Sequence, residues 1–227
     1  MVKVNLGSGY LGLEGWLNYD NSVVAAVSKH KWLIRLLVKL HFLPKGYEDI
    51  KWPPIIVHDC RKGIPLEDNS VDFIYTSHFL EHLYRHEVVD LLKECRRVLK
   101  SGAVIRIVLP DVEKLVQIYL KRDAKAYPLE TSVKDPEPTY GDLFVSTFYT
   151  SEFDRSRCRG FILRMQEKFL RHHHWMYNAD SMRNILEYAG FARIEEKKYR
   201  ESRIEEARLL DSIPEISFFL EAEKTGA

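Results

Sequence analysis

The first twenty residues constrain the fold of this 227-residue chain more than any other stretch. An apolar run over residues 2–6 stops at Gly7-Ser8-Gly9, which is the pattern of a buried parallel strand that ends in a backbone turn. Glycine reaches positive φ at little cost, and without a Cβ it lets a ligand lie directly on the main chain. The segment therefore predicts an α/β sheet whose first strand leads into a ligand-binding turn.

A second apolar piece, residues 16–19, ends in Asp20, about eleven residues after Gly9. An acid at a strand end is typical of the residue that binds the ribose diol in nucleotide-binding α/β sheets. Residues 10–15 are too few for a useful helix, although a dinucleotide site needs a helix N-terminus at the glycines to hold the pyrophosphate. The pattern thus favours a ligand without phosphates, and the Gly-x-Gly alone is equally compatible with a plain structural turn.

Length and composition restrict the class of protein. A chain of 227 residues can bury one sizeable core, so we expect a single domain over 1–227. Lys+Arg 34 against Asp+Glu 33 argues against a protein that coats nucleic acid, and no nucleic-acid partner is expected. Cys60, Cys95 and Cys158 form no disulfide or zinc pattern. We therefore expect a cytoplasmic protein without a signal peptide or a membrane span.

The third strand repeats the arrangement of the second. Residues 55–58 are rich in β-branched side chains and are predicted to form a short buried strand that ends at Asp59-Cys60. In open parallel sheets ligands lie outside the carboxyl ends of the strands, so Asp20 and Asp59 are predicted to flank one pocket. Two more strands, over 71–76 and 103–109, enclose an amphipathic helix over 87–99.

A helical crossover is predicted over 21–50, between the second and third strands. Its apolar residues recur at helical spacing and predict a core-packed face. The other face is basic, with Lys29, Lys31, Arg35 and Lys39. A solvated face is the commoner meaning of such charges, but segment 29–43 is also compatible with weak contact to an anionic membrane surface.

The alternation of strands and helices fails over 127–175. This segment contains three prolines followed by many aromatic and basic residues. A long piece between the elements of a compact domain is usually functional, so a cap-like insertion over the carboxyl edge of the sheet is predicted. A helix over 182–189 and an antiparallel hairpin of 192–198 with 216–223 are predicted to close the fold.

The order of these motifs carries a resemblance to a known family. The motifs are strand-LGSG, strand-Asp20, strand-HDC, DNSVDFIYTSHFLEHL, RRVLKSGA, VLPD and HHWMYNADSMRNILEYAGF. Together they resemble the class I S-adenosylmethionine-dependent methyltransferases, and more narrowly a small bacterial and archaeal branch of predicted methyltransferases of unassigned substrate. The resemblance covers nearly the whole chain. It implies an α/β, Rossmann-like doubly wound fold with a mostly parallel seven-stranded sheet and an antiparallel last strand.

The resemblance also implies S-adenosylmethionine as the cofactor and a role for residues at the strand ends. Gly7, Ser8 and Gly9 match the loop along its methionine and ribose portions, and Asp20 matches the acid on the ribose hydroxyls. The residues that match the remaining cofactor contacts are Asp59 and Cys60 at the adenine edge, Ser77 and His78 at the methionyl end, and Asn5, which stands where the family often has an acid near the methionyl amine.

The protein itself needs to contribute little covalent chemistry to methyl transfer, because the sulfonium of the cofactor already activates the methyl group. The enzyme must hold an acceptor lone pair in line with the sulfur–methyl bond and exclude water. A hydroxyl acceptor gains from a general base, for which histidine is suited. His78, His82 and His173 are the candidates, with a structural role as the alternative for each, and the expected acceptor is a small-molecule or glycan-like compound.

Residues 78–82 also spell HxxEH, the zinc signature of inverted metalloproteases. Histidines four apart share a helix face, and the glutamate beside them can activate water. The position directly after a buried parallel strand favours the methyltransferase, so no metal is expected. Some ubiquinone O-methyltransferases bind a divalent ion at a related ExxEH, but here His78 stands at the first position. A protein that binds the cofactor without catalysis is the third alternative.

Overall fold

The computed structural model describes residues 1–40, 42–43, 45–123, 139–148 and 173–226. Its strands are β1 (Lys3–Leu6), β2 (Leu17–Asp20), β3 (Ile55–Val57), β4 (Val71–Ser77), β5 (Leu99–Pro110), β6 (Ala192–Glu196) and β7 (Ser217–Glu223). Its helices are α1 (Val23–Val27), α2 (Lys31–Lys39), α3 (Arg85–Val98), α4 (Val112–Lys121), α5 (Tyr140–Ser146) and α6 (Ala179–Tyr188). Single 3-10 turns lie at Tyr47–Asp49, Cys60–Lys62, Leu80–His82 and Glu205–Leu209.

The seven strands form one sheet in the order β3-β2-β1-β4-β5-β7-β6. The pairs from β3 to β5 are parallel, and β7 runs antiparallel to both β5 and β6. This confirms the predicted α/β, mostly parallel sheet with an antiparallel last strand. Leu6 of β1 lies opposite Tyr19 of β2 and Thr76 of β4, so the first, second and fourth strands end at the same edge.

Each face of the sheet has its own core. On one face α3 and α6 pack against the strands through Leu91, Leu92 and Leu186, all of which are buried. On the other face Trp16 and Phe73 lie under the turn at Glu205–Leu209. Helix α3 starts where the backbone N–H of Tyr84 donates to the side chain of Glu87 at 2.9 Å, which satisfies a free donor of the first turn.

The crossover packs differently from the prediction of a core-facing apolar stripe. Of the residues in α2 only Ile34 is buried, whereas Trp32 and Leu36 are 66% and 42% exposed. Helix α2 packs mainly against α1 and the 3-10 turn at Tyr47–Asp49, so little of its apolar side is covered. Ile56 and Val57 of β3 are themselves 39% and 48% exposed, although the sequence predicts a buried strand.

Most of the predicted insertion at 127–175 lies outside the described residues, as does Cys158. Its described parts are 139–148, which contains α5, and 173–175. Among the helices of the described ranges, none has the length and apolar character needed to cross a bilayer.

Candidate functional site

Backbone hydrogen bonds join the ends of the first three strands. The N–H groups of Gly7 and Ser8 both donate to the carbonyl of Tyr19, at 2.9 and 3.1 Å. The N–H of His58, just past β3, donates to the carbonyl of Asp20 at 3.2 Å. The glycine turn and the two strand-end acids, predicted from separate parts of the sequence, therefore lie side by side.

The Asp20 carboxylate is fixed by two backbone amides. One oxygen, Oδ2, accepts from the N–H of Gly9 at 2.9 Å, and the other, Oδ1, accepts from the N–H of Ser22 at 2.6 Å. A carboxylate has about four acceptor sites, so these bonds orient Asp20 and leave capacity for ligand hydroxyls. The side chain is partly exposed, which keeps that capacity accessible.

The two glycines of the turn have different surroundings, although both have positive φ, +68° for Gly7 and +50° for Gly9. A Cβ at Gly7 would lie 2.3 Å from Cγ of Phe79, whereas a Cβ at Gly9 would meet nothing within 4 Å. The hydroxyl of Ser8 between them is buried and has no hydrogen-bond partner in the described part of the chain. Gly7 thus allows close packing, while Gly9 leaves main chain open to a ligand.

Asp59 and Cys60 lie just past the end of β3, where Asp59 is paired within the protein and Cys60 is buried. The Arg61 guanidinium donates two hydrogen bonds to the Asp59 carboxylate, at 2.8 and 2.7 Å. These bonds hold the pKa of Asp59 below its ordinary value. Burial raises the pKa of the Cys60 thiol to about 12. A ligand that reaches Asp59 must therefore share its carboxylate with Arg61.

Asn5 and Ser77 lie at the predicted edge of the sheet. Asn5 is buried, and its side-chain amide donates to the carbonyl of Leu11 at 3.0 Å, which fastens the short first connection onto β1. Ser77 is the last residue of β4 and pairs with Val108 of β5.

His78 follows β4 in the left-handed region, at φ 48°. Its backbone N–H donates to the carbonyl of Val108 at 3.0 Å, and its Nε2 lies 3.2 Å from the hydroxyl of Ser217. A residue other than glycine is rare in this conformation and costs about 1 to 3 kcal/mol, so the surrounding bonds must hold it. The ring is 22% exposed, which leaves it within reach of a bound molecule.

The three predicted histidines converge on Glu81, a residue absent from the predicted site. Nδ1 of His78 is 3.5 Å from Oε1 of Glu81, and Nε2 of His173 is 3.9 Å from the same oxygen. The rings of His82 and His173 lie 4.9 Å apart. Burial raises the pKa of a carboxyl group, but the three histidines outweigh it and hold the pKa of Glu81 below its ordinary value.

His173 differs from His78 as a candidate base. Its Nδ1 lies 2.9 Å from the carbonyl oxygen of Thr147, to which it donates. Burial lowers the pKa of His173 to about 4, although the Glu81 carboxylate acts in the opposite direction. The ring is therefore neutral near pH 7 and enclosed, which makes His78 the better placed of the two for proton transfer.

The HxxEH segment does not form the helix that the hydrolase alternative requires. Residues Leu80–His82 are a single 3-10 turn, and His78 lies before it in the left-handed region. His78 and His82 consequently do not share a helix face. The arrangement of an inverted metalloprotease is absent from this segment.

The strand-end residues fit an adenosyl ligand such as S-adenosylmethionine. Gly9 offers open main chain, Ser8 an unpaired hydroxyl, and Asp20 an oriented carboxylate. Two large cavities lie elsewhere: one of about 640 Å³ beside α4 and one of about 720 Å³ between α3 and α6. Neither is lined by these three residues, so the fit rests on the strand ends alone.

Comparison with known proteins gives one family match. Residues 37–107 match the family described as "Methyltransferase domain". The matched span runs from α2 into β5 and includes the HDC and HxxEH segments. No curated protein matches the chain.

Solved structures resemble the chain in fold. One chain of the complex between the Haloferax volcanii Trm112 methyltransferase activator and a methyltransferase matches with a TM-score of 0.51 and 12% identity. The match covers 100% of this chain and 82% of the matched chain. An S-adenosylmethionine-dependent methyltransferase from Archaeoglobus fulgidus matches with a TM-score of 0.47 and 17% identity, over 98% and 85%. The citrinin polyketide synthase CMeT domain matches with a TM-score of 0.48 and 11% identity; this chain spans 47% of its length.

Proposed function

We propose that the chain is a class I S-adenosylmethionine-dependent methyltransferase that methylates a small-molecule or glycan-like acceptor; the fold of the sheet and the match of residues 37–107 to a methyltransferase domain support this proposal. The observation that carries the proposal is that the Gly7–Gly9 turn is hydrogen-bonded directly to Tyr19 and Asp20 at the carboxyl edge of the sheet. Ligands of open α/β sheets bind at this edge.

In this proposal the strand ends hold the cofactor. Asp20 accepts hydrogen bonds from the ribose hydroxyls, while the main chain at Gly9 and the hydroxyl of Ser8 lie along the ribose and methionine portions. Asp59 and Cys60 flank the adenine, with Asp59 still paired to Arg61. The bound cofactor supplies a methyl group already activated by its sulfonium.

The residues around Ser77 and His78 then position the acceptor and receive its proton. His78 is the proposed base because its ring is partly exposed at the end of β4, where the methionyl end of the cofactor is expected. A positioned base contributes about 10²- to 10⁴-fold to the rate of such a step. His82, in the same loop, and His173, from a distant segment, act indirectly through their electrostatic interaction with the Glu81 carboxylate.

The test of the cofactor site is calorimetric titration with S-adenosylhomocysteine. Replacing Asp20 with Ala removes hydrogen bonds to a charged group and should weaken binding by about 1.5 to 3 kcal/mol. Asp90→Ala, an exposed change on α3, is the matched control and should bind as the original chain does. Thermal melting checks that Asp20→Ala is folded. Equal affinity of the original chain, Asp20→Ala and Asp90→Ala would then refute the assignment.

Transfer itself is tested by incubating the protein with labelled S-adenosylmethionine and a panel of phenols, hydroxy acids and glycans. Incorporation that His78→Ala loses, at unchanged affinity for S-adenosylhomocysteine, supports both the activity and the base. Tight binding without incorporation into any acceptor supports the alternative, a binding protein without catalysis.

We further propose weak contact between the 29–43 segment and an anionic lipid surface. Trp32, Leu36 and Leu40 are exposed along one side of α2, and Lys31, Arg35 and Lys39 lie beside them. An exposed apolar stripe flanked by cations is typical of helices that lie in a membrane interface. Sedimentation with phosphatidylserine vesicles should exceed sedimentation with phosphatidylcholine vesicles, and Trp32→Ser should abolish the difference. Leu120→Ser, at an equally exposed leucine on α4, is the control.

A further inference from the structure

A buried carboxylate without a hydrogen bond lies below the proposed acceptor site. Glu81 is 0% exposed, and neither of its carboxylate oxygens accepts a hydrogen bond in the described part of the chain. Burying an ionised carboxylate is costly unless it is paired or coordinates a metal. The nearest cationic candidates are imidazoles, at 3.5 Å for His78 and 3.9 Å for His173.

His173 is oriented toward Glu81 as metal ligands are. Its Nδ1 donates to the carbonyl of Thr147, so the proton lies on that nitrogen and Nε2 carries the lone pair. Nε2 lies 3.9 Å from Oε1 of Glu81, and two acceptor atoms this close repel each other unless a metal ion, a proton or a water molecule lies between them. A backbone carbonyl on the second nitrogen is the usual partner of a metal-bound histidine.

From this geometry we propose that Glu81, His82 and His173 form a binding site for a divalent transition-metal ion of the Zn²⁺ type. One ligand atom from each residue lies within 4.8 Å of the other two. Ligand atoms around tetrahedral zinc are roughly 3.3 Å apart, given bonds of about 2.0 to 2.2 Å. The ligand atoms must therefore move closer together when the ion binds.

The main chain already fixes the two segments that carry the ligands. The N–H groups of His174 and Trp175 donate to the carbonyl of Glu81 at 2.7 and 3.2 Å. His173 immediately precedes His174, so these bonds place it beside the turn that contains Glu81 and His82. The ligands come from positions about ninety residues apart, yet they are brought together without the metal.

The donor set selects the class of ion. One carboxylate and two imidazoles suit zinc and its neighbours in the transition series, whereas magnesium and calcium prefer oxygen ligands alone. Three protein ligands leave a coordination position open, as in catalytic zinc sites. His78 Nδ1 lies 3.5 Å from Glu81 Oε1, but His78 does not belong to the group of three mutually close ligand atoms.

The experiment uses the untagged chain, treated with a chelator, desalted, and titrated with Co²⁺ or Zn²⁺. Co²⁺ should bind one to one with visible d–d absorption, and Zn²⁺ should displace it. Glu81→Gln and His173→Ala should each weaken metal binding by at least about 100-fold. Loss of a residue that only hydrogen-bonds to a ligand already costs up to about 100-fold in affinity, and these two residues are the ligands themselves. His30→Ala removes an exposed histidine outside the site and should leave affinity unchanged.

Thermal melting of the metal-free variants separates lost affinity from lost folding, and His82→Ala supplies a third variant should Glu81→Gln unfold. The proposal is overturned if the chain binds no stoichiometric metal, because Glu81 and a protonated histidine then form only an ion pair. It is also overturned if folded Glu81→Gln and His173→Ala bind Zn²⁺ as tightly as the original chain does. None of these measurements depends on methyl transfer.

Discussion

Gly7 and Phe79 are packed so closely that the aromatic ring occupies the space of a side chain at position 7. A Cβ built on Gly7 would lie 2.3 Å from Cγ of the ring. The contact joins the turn after β1 to the loop after β4, which are the two loops proposed to lie along the cofactor. The absence of a side chain at this position thus fixes the distance between them.

Gly7→Ala should destabilise the protein and weaken binding of S-adenosylhomocysteine together. The methyl group must displace Phe79 and accept a positive φ, which together cost about 2 to 5 kcal/mol. Gly9→Ala is the matched control, because it has the same sign of φ but open space around it, and only about 1 to 2 kcal/mol of strain is expected. Urea unfolding of both variants measures the difference, and equal losses would contradict the packing argument.

The buried pair of Arg106 and Asp211 should be the most sensitive polar contact in the fold. Both side chains are 0% exposed and joined by two hydrogen bonds of 2.9 and 2.6 Å. Arg106→Met leaves buried acids unpaired, so we expect a loss of about 3 to 5 kcal/mol in the free energy of unfolding. Lys197→Ala, which breaks an exposed pair with Glu195, should change almost nothing in the same urea titration. A small loss for Arg106→Met would show that water reaches the pair.

Glu94 should make stability depend on acid pH. Its carboxylate accepts two hydrogen bonds from Arg97 and one from the N–H of Ile64, and these bonds lower its pKa. Because the folded pKa lies below the unfolded one, the contribution is complete above roughly pH 5 and disappears as the pH falls through the folded value. Thermal melting of Glu94→Gln and the original chain should therefore differ at pH 7 and converge in acid. A constant difference would contradict the assignment.

The Cys60 thiol should resist alkylation although it lies at the edge of the proposed cofactor site. With a pKa of about 12, only about one thiol in ten thousand is ionised near pH 8, and the thiolate is the reactive form. Peptide mapping after iodoacetamide treatment should find Cys60 unlabelled in the native protein and labelled in urea. Rapid native labelling would show that the site opens.

Local patterns predicted the sheet because its signals are contiguous in the chain. The apolar run of β5, the glycine turn after β1 and the strand-end acids each depend on a few neighbouring residues. The burial of helix α2 was harder to predict. The spacing of apolar residues shows that a helix has an apolar side, but it does not show whether another element covers that side. Trp32 remains exposed because α2 packs mainly against α1 and the turn at Tyr47–Asp49.

The surroundings of Glu81 could not be predicted from the motif that contains it. The HxxEH spacing suggests a helix, but the left-handed conformation of His78 redirects the chain. That conformation is held by Val108 and Ser217, which are distant in sequence. Likewise, nothing local marks Arg106 as the partner of Asp211, 105 residues later. Such pairings are decided by the assembled sheet.

The position of β7 has a consequence for how the molecule is made. This strand is buried along all seven residues and lies between β5 and β6, so both neighbours have an unpaired edge until residue 223 has been synthesised. Domains that fold during translation usually complete their N-terminal parts first. Here β7 must be synthesised before the sheet can close, and until then the edges of β5 and β6 that pair with it are open to strands of other chains.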